Sequence, residues 1–138
     1  MKWFLLRQIS LCRPDLAWHT LNSADGIDDV LAFEREAIDP YVLLPYEGGC
    51  TSTSFGHIFA GAYSAGYYSY LWAQVLDADA FEAFTESSLY DVATGMRFRS
   101  EVLAKGGSRP PLELYRNFRG RDADPDALLR REGLLDDK

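Results

Sequence analysis

Histidine and cysteine are scarce in this sequence, which limits the metal chemistry that the chain can support. Its 138 residues include two histidines, His19 and His57, and two cysteines, Cys12 and Cys50. A zinc peptidase helix needs two histidines one helical turn apart and a glutamate beside the first, as in H-E-x-x-H. Neither histidine here is followed by glutamate. We therefore expect no zinc bound by this chain itself, and free thiols rather than a disulfide framework.

An excess of positive charge and long apolar runs are also missing. The net charge is −7, which makes phosphate backbones unfavourable partners, so we expect no nucleic acid ligand. The apolar run at residues 3–6 is broken by Arg7 and is too short for a signal peptide. No stretch approaches the roughly 20 apolar residues of a membrane-spanning helix. These features predict a cytoplasmic protein without a membrane partner.

Strand-like alternation of apolar and polar residues never extends beyond four residues, whereas helical spacing recurs along the chain. A hydrophobic content of 47% in a chain of this length is enough for one packed core. We therefore predict a single all-α domain over residues 1–138, an irregular multi-helix domain with one long loop rich in glycine and tyrosine. Periodicity and cap residues predict helices at 3–13, 27–38, 67–84, 91–105, about 110–119 and about 125–132.

Proline and glycine set the predicted helix ends. Pro14 should end or kink the first helix, and Gly120 should end the fifth. Asp124 followed by Pro125 is typical of a helix start, with aspartate as the N-cap. Residues 40–66 form a long stretch of turn-forming residues, and a loop of this length in a compact domain is usually functional.

Tyrosines follow this loop at helical spacing. Tyr63, Tyr67 and Tyr70 would share one helix face, and Tyr63 can reach the same space even if the helix begins only near Tyr67. Their hydroxyls could donate hydrogen bonds to a carbonyl oxygen or to an oxyanion. From spacing alone, packing in the core is the more common role for such aromatic residues. We expect a neighbouring stripe that includes Trp72 and Val75 to be buried.

The string F-G-H-I-F-A-G-A-Y-S-A-G-Y-Y-S-Y-L-W-A at residues 55–73 closely resembles a signature of the thimet oligopeptidase family. This family includes oligopeptidase A and the bacterial peptidyl-dipeptidases, whose version is roughly H-I-F-A-G-G-Y-A-A-G-Y-Y-S-Y-x-W-A. The likeness continues through G-G-S at 106–108 and F-R-G-R at 118–121, and covers nearly the whole chain. The sequence therefore resembles the C-terminal region of these zinc metallopeptidases.

The resemblance implies a helical fold, short peptides as substrates, and a zinc ion held by an H-E-x-x-H helix that precedes the matched region. It implies that His57, Tyr63 and Tyr70 assist the tetrahedral intermediate. It also implies that the loop at Gly61 and Ala62 lies against the peptide backbone, with Tyr67 nearby. Two departures matter. Ala62 replaces a glycine, which restricts the loop, and Pro14 stands where relatives continue a helix.

The leading hypothesis is thus the substrate-binding portion of a zinc oligopeptidase, inactive alone because the zinc ligands are missing. The alternatives are a non-enzymatic peptide-binding module and one half of a split peptidase. The expected partners are short peptides and either an N-terminal zinc-bearing region or a second copy of this chain. The apolar residues Trp3, Phe4 and Leu6, together with the loop rich in glycine and tyrosine, would form that contact surface.

Overall fold

The computed structural model describes residues 2–42 and 51–136. Within these ranges the chain contains helices and turns and no strand, which confirms the all-α prediction. None of the helices described is long and apolar enough to cross a membrane. The α-helices are α1 (Lys2–His19), α2 (Val30–Ile38), α3 (Gly56–Phe59), α4 (Ser69–Thr85), α5 (Val92–Phe98), α6 (Pro111–Arg119) and α7 (Asp126–Arg131). Short 3-10 helices occupy Asp39–Tyr41 and Gly106–Ser108, and a π-helical turn occupies Arg99–Leu103.

The chain divides into two compact units, Met1–Leu71 and Trp72–Lys138, and the boundary falls inside α4. The prediction of a single domain stays a prediction. In the first unit α1 packs on α2. The core of this unit contains buried apolar side chains from both helices and from α3, namely Leu5, Cys12, Ala37, Ile38 and Ile58.

The sequence predicts that Pro14 either ends or kinks the first helix. Helix α1 does not end there but continues to His19. Proline at this position lacks the N–H that would bond the carbonyl of Ser10, which normally disfavours a helix interior. Pro14 is itself buried, and two side chains beyond it are tied to the rest of the unit. Trp18 donates from Nε1 to Ser52 Oγ at 2.8 Å, and Asp15 accepts backbone hydrogen bonds from residues 65 and 67. These tertiary contacts compensate for the local preference.

Helix α2 begins three residues later than predicted because Asp29 is its N-cap. The Asp29 side chain accepts a hydrogen bond from the Ala32 N–H at 3.0 Å. A carboxylate in this position satisfies one of the backbone donors that a helix start leaves free. Residues 27–29 therefore precede the helix.

The second unit is built around α6. Its core contains apolar side chains from the later part of α4, α6 and α7, namely Val75, Ala78, Ala83, Leu114, Tyr115, Phe118, Ala127 and Leu128. Helix α6 ends, as predicted, at Gly120, which has a left-handed φ of 75°. The predicted helix 91–105 is α-helical only to Phe98 and continues as the π-helical turn.

One prediction in this unit differs from the structure by a residue and another is wrong. Helix α7 begins at Asp126 and Pro125 precedes it with helical backbone angles, while Asp124 Oδ1 accepts from the Asp126 N–H at 3.0 Å, the hydrogen bond expected of the predicted cap residue. Trp72 is not buried: 42% of its surface is exposed, whereas Val75 is buried as predicted. Helical spacing places Trp72 beside Val75 on the predicted apolar stripe. The neighbouring residues bury the Val75 side of this stripe and leave the Trp72 side exposed.

Candidate functional site

The predicted loop contains a short helix that the sequence did not reveal. Helix α3 carries His57 and Ile58, and Ile58 is fully buried. The Ser64 hydroxyl donates to the Ile58 carbonyl at 2.8 Å, which joins the turn after Gly61 to this helix. Residues 56–64 thus fold back on themselves, and His57 comes close to tyrosines that follow it in the chain.

Four ring side chains, His57, Tyr63, Tyr67 and Tyr70, form what we call the tyrosine–histidine cluster. The rings of Tyr63 and Tyr70 stack with centroids 5.4 Å apart, and Tyr67 lies 5.1 Å from Tyr70. The centroid of the His57 imidazole lies 4.6 Å from that of the Tyr63 ring, 5.4 Å from that of Tyr67 and 5.7 Å from that of Tyr70. This confirms that the three tyrosines share one surface. Tyr63 and Tyr67 precede α4, so Tyr63 reaches that surface from the loop.

The cluster is open to solvent rather than part of the core. Tyr63 and Tyr70 each expose 38% of their surface, so core packing, the more common role, does not apply to them. Tyr70 Oη lies 3.1 Å from His57 Nε2, within hydrogen-bond distance. The hydrogen bond with Tyr63 is the largest cause that raises the pKa of Tyr70 above its ordinary value. Burial raises the pKa of Tyr67 above its ordinary value. The positive charge of nearby Arg7 lowers this pKa and offsets the effect of burial only in part.

The phenols of Tyr67 and Tyr70 are protonated at neutral pH. The ordinary pKa of tyrosine, about 10, already ensures this, and the upward shifts act in the same direction. A protonated phenol is both a donor and an acceptor. Tyr67 and Tyr70 can therefore donate hydrogen bonds to a carbonyl oxygen that reaches this surface.

The backbone of the loop accommodates alanine at position 62. Gly61 has a φ of 125°, which L-residues rarely adopt, so glycine is required there. The non-glycine residue with positive φ in the described ranges is Ala65, at 54°. Ala62 therefore has a φ that alanine adopts readily, and its replacement of the family's glycine causes no backbone strain.

Two buried carboxylates of the first unit bind backbone N–H groups, and neither is among the predicted site residues. Asp15 on α1 accepts from the backbone N–H groups of Ala65 and Tyr67 at 2.8 and 2.9 Å. Glu34 on α2 accepts from those of Thr51 and Ser52 at 2.9 and 2.5 Å. Both carboxylates are fully buried. No local signal in the sequence marks them, since both have charged residues close by and their hydrogen-bond partners lie far away along the chain.

The resemblance implies a zinc ion in the peptidase. Among residues 2–42 and 51–136, no group of three His, Cys, Asp or Glu side chains lies close enough together to bind a metal ion. His19 Nδ1 lies 2.9 Å from the Asp15 carboxylate, and His57 faces Tyr70. Burial is the main cause that raises the pKa of Cys12 to about 11, which disfavours the thiolate a metal needs. Cys50 lies outside the described residues. The residues described do not fit a zinc ion, and no chemical step in this chain is derived through one.

Comparison with known proteins gives a consistent result. The model of peptidase family M3 matches residues 1–134. The organellar oligopeptidase A of Arabidopsis thaliana is 44% identical over 137 residues, which are 96% of this chain and 17% of that protein. Oligopeptidase A of Haemophilus influenzae is 41% identical over 133 residues, 96% of this chain and 20% of that protein. The dipeptidyl carboxypeptidase of Escherichia coli is 36% identical over 128 residues, which are 91% of this chain and 19% of that protein. The chain spans about a fifth of the length of these relatives.

Proposed function

Because this chain belongs to peptidase family M3, we propose that it supplies the peptide-facing part of an oligopeptidase active site. In this proposal His57, Tyr63 and Tyr70 assist the tetrahedral intermediate of peptide hydrolysis. Gly61, Ala62 and Tyr67 lie along the backbone of a short peptide. The observation that carries the proposal is the tyrosine–histidine cluster, in which four polar rings share one exposed surface.

The chemistry follows from the donors on this surface. Attack on a peptide carbonyl places negative charge on its oxygen, and donors already aimed at that position stabilise the transition state. The hydroxyl of Tyr70 lies 3.1 Å from His57 Nε2. When Nε2 carries the imidazole proton it donates to Tyr70 Oη, which limits the orientations of the phenol and leaves the phenol proton free for the substrate oxygen. One such donor is worth about 3–4 kcal/mol, or roughly 10²–10³ in rate.

We further propose that the 138-residue chain by itself hydrolyses no peptide. An oligopeptidase of the zinc type needs a metal to activate water and to polarise the carbonyl. This sequence contains no H-E-x-x-H, and its two histidines already have other partners in the structure. The zinc ligands would come from other residues of an assembled peptidase, and the cluster would act only there.

A chimera tests the proposal. We expect Haemophilus influenzae oligopeptidase A to hydrolyse short peptides when this chain replaces the segment that it matches. In that chimera Tyr70→Phe should lower kcat by about 10²–10³, because one oxyanion donor is lost. Tyr68→Phe is the matched control, because Tyr68 is also exposed but makes no ring contact within the cluster. Equal kcat values for the two variants would exclude the donor role.

The isolated chain separates the proposal from its alternatives. We expect dialysed chain to retain no zinc and to leave peptides intact. Titration with N-acetyl-pentaalanine amide should shift the NMR signals of the cluster, since the peptide-facing surface is present without the metal. Catalysis restored by adding a separately produced zinc-bearing region would favour a split peptidase. Binding without any such restoration would favour a peptide-binding module.

A further inference from the structure

We propose that Asp15 is the positioning residue of the tyrosine–histidine cluster, a role that rests on the proposed function of that cluster. Asp15 does not touch the rings. It holds the backbone that carries them, and it does so from α1, a helix that contributes no ring to the cluster. The inference assigns a role in the site to a residue that lies about 50 positions earlier in the sequence.

The geometry shows how one carboxylate can hold the loop. Oδ1 accepts from the Ala65 N–H at 2.8 Å, and Oδ2 accepts from the Tyr67 N–H at 2.9 Å. These two donors flank Gly66 and lie between Tyr63 and Tyr70. His19 Nδ1 lies 2.9 Å from Oδ1. The same His19 nitrogen lies 2.8 Å from the backbone carbonyl oxygen of Asp15. Each carboxylate oxygen thus has a backbone N–H donor, which a buried charge requires.

The backbone that Asp15 holds has an unfavourable local conformation. Ala65 has a φ of 54°, a conformation that costs alanine roughly 1 kcal/mol or more. In this conformation the N–H of Ala65 donates to Asp15, and Tyr63 and Tyr70 on either side of the turn stack with ring centroids 5.4 Å apart. Loss of the carboxylate would therefore release both the strained residue and the spacing between the tyrosines.

Glu34 provides an internal comparison. It is equally buried and also accepts two backbone N–H groups, but these belong to Thr51 and Ser52, before α3. The two carboxylates thus hold different parts of the chain. If Asp15 acts by position rather than by general stabilisation, Asp15→Asn and Glu34→Gln should differ at the cluster.

The experiment uses the full chain labelled with ¹⁵N. Asparagine keeps the shape of Asp15 but has one acceptor oxygen, so one of the two backbone donors loses its partner. In Asp15→Asn we expect amide exchange at Ala65 or Tyr67 to be at least about tenfold faster, together with a shift of the His57 Nε2 resonance. Glu34→Gln should leave these signals unchanged. Wild-type exchange at both amides in folded Asp15→Asn would overturn the proposal, as would equal changes in the two variants.

A measurement on the wild-type chain tests the same proposal if the Asp15→Asn variant does not fold. Couplings across hydrogen bonds should connect the Ala65 and Tyr67 amides to the Asp15 carboxyl carbon. Their absence, in a sample that shows such couplings within α1, would overturn the proposal. Titration with N-acetyl-pentaalanine amide keeps the two proposals separate. If the peptide leaves the wild-type cluster signals unchanged, the proposed function fails, while the exchange and coupling data still decide the role of Asp15.

Discussion

Three carboxylates in the described chain, Asp15, Glu34 and Asp79, are fully buried, and each is surrounded by donors. A buried charge without partners is strongly unfavourable, so these residues must be paired wherever the chain is folded. Asp15 pairs with backbone N–H groups beside the tyrosine–histidine cluster, and Glu34 pairs with those of Thr51 and Ser52. Asp79 pairs with side chains instead. Substitution of Asp79 therefore tests how much a buried ion pair stabilises the second unit.

Asp79 accepts hydrogen bonds from the Tyr115 hydroxyl, from Arg119 at 3.4 Å and from Arg121 at 2.5 Å. Burial acts to raise the pKa of Asp79, but these hydrogen bonds outweigh it and hold the pKa below its ordinary value. We expect Asp79→Asn to lower the free energy of unfolding by about 3–5 kcal/mol in urea denaturation, because a buried ion pair loses one partner.

The pH dependence of this effect has a defined sign. A carboxylate whose pKa is lowered by folding contributes stability above its unfolded pKa of about 4 and loses that contribution as the pH falls. The difference between wild type and Asp79→Asn should therefore shrink below about pH 4. Asp77→Asn is the control, since Asp77 is 73% exposed and pairs only at the surface with Arg131. We expect it to change stability by less than about 1 kcal/mol.

The link between Tyr63 and Tyr70 can be tested by titration. The hydrogen bond with Tyr63 is the largest cause that raises the pKa of Tyr70. Tyr63→Phe should therefore lower the pKa of Tyr70 toward about 10, the ordinary value, as followed by the ¹³Cζ signal between pH 8 and 12. Tyr68→Phe should leave the titration of Tyr70 unchanged. An unaltered Tyr70 pKa in Tyr63→Phe would show that the two hydroxyls do not interact.

At this scale the spacing of the tyrosines predicted their shared surface, because residues three or four apart are neighbours on a helix. Tyr63 reaches the same surface because the turn before α4 stacks it on Tyr70. The resemblance pointed to His57, which spacing alone did not. Asp15 could not be found from either. Its role depends on two backbone N–H groups some 50 residues later, and a local pattern contains no information about such a pair.

At the scale of helices, a glycine predicted a helix end correctly and a proline did not. Gly120 ends α6 with a left-handed φ, as expected for a glycine after the last helical residue. Pro14 gave the wrong end for α1, because the tertiary contacts of Trp18 and Asp15 override the local cost. A short apolar helix such as α3 had no periodic pattern to reveal it.

Two glycines test this account of the helix ends. Gly120 has a φ of 75° and Gly95 lies inside α5, and a Cβ would meet no atom within 4 Å at either position. The effects of alanine are therefore conformational. We expect Gly120→Ala to destabilise the chain by about 1–2 kcal/mol and Gly95→Ala to stabilise it by about 0.5–1 kcal/mol. Urea denaturation of both variants measures this, and shifts of the same sign would contradict it.

At the scale of the whole chain, hydrophobic content predicted packed helices but not which apolar residues they cover. Trp3 is 59% exposed and Phe4 38% exposed, whereas Leu5 beside them is buried. Helix α1 has apolar residues around most of its circumference, and its neighbours in the first unit leave Trp3 and Phe4 uncovered. Sequence alone could count these residues but could not assign them to a side.

The exposed side of α1 leads to the last prediction, that copies of this chain associate through Trp3, Phe4 and Leu6. Burial of an apolar patch of ~400 Å² would contribute on the order of 10 kcal/mol, which is similar in size to the cost of association, so the expected dimer is weak. Sedimentation over a concentration series should show a monomer–dimer equilibrium that the double variant Trp3→Ser, Phe4→Ser shifts to monomer. Leu89→Ser, Val92→Ser removes equally exposed apolar side chains from the second unit and should leave the equilibrium unchanged. A wild-type chain that stays monomeric at every concentration would show that this surface alone does not drive association.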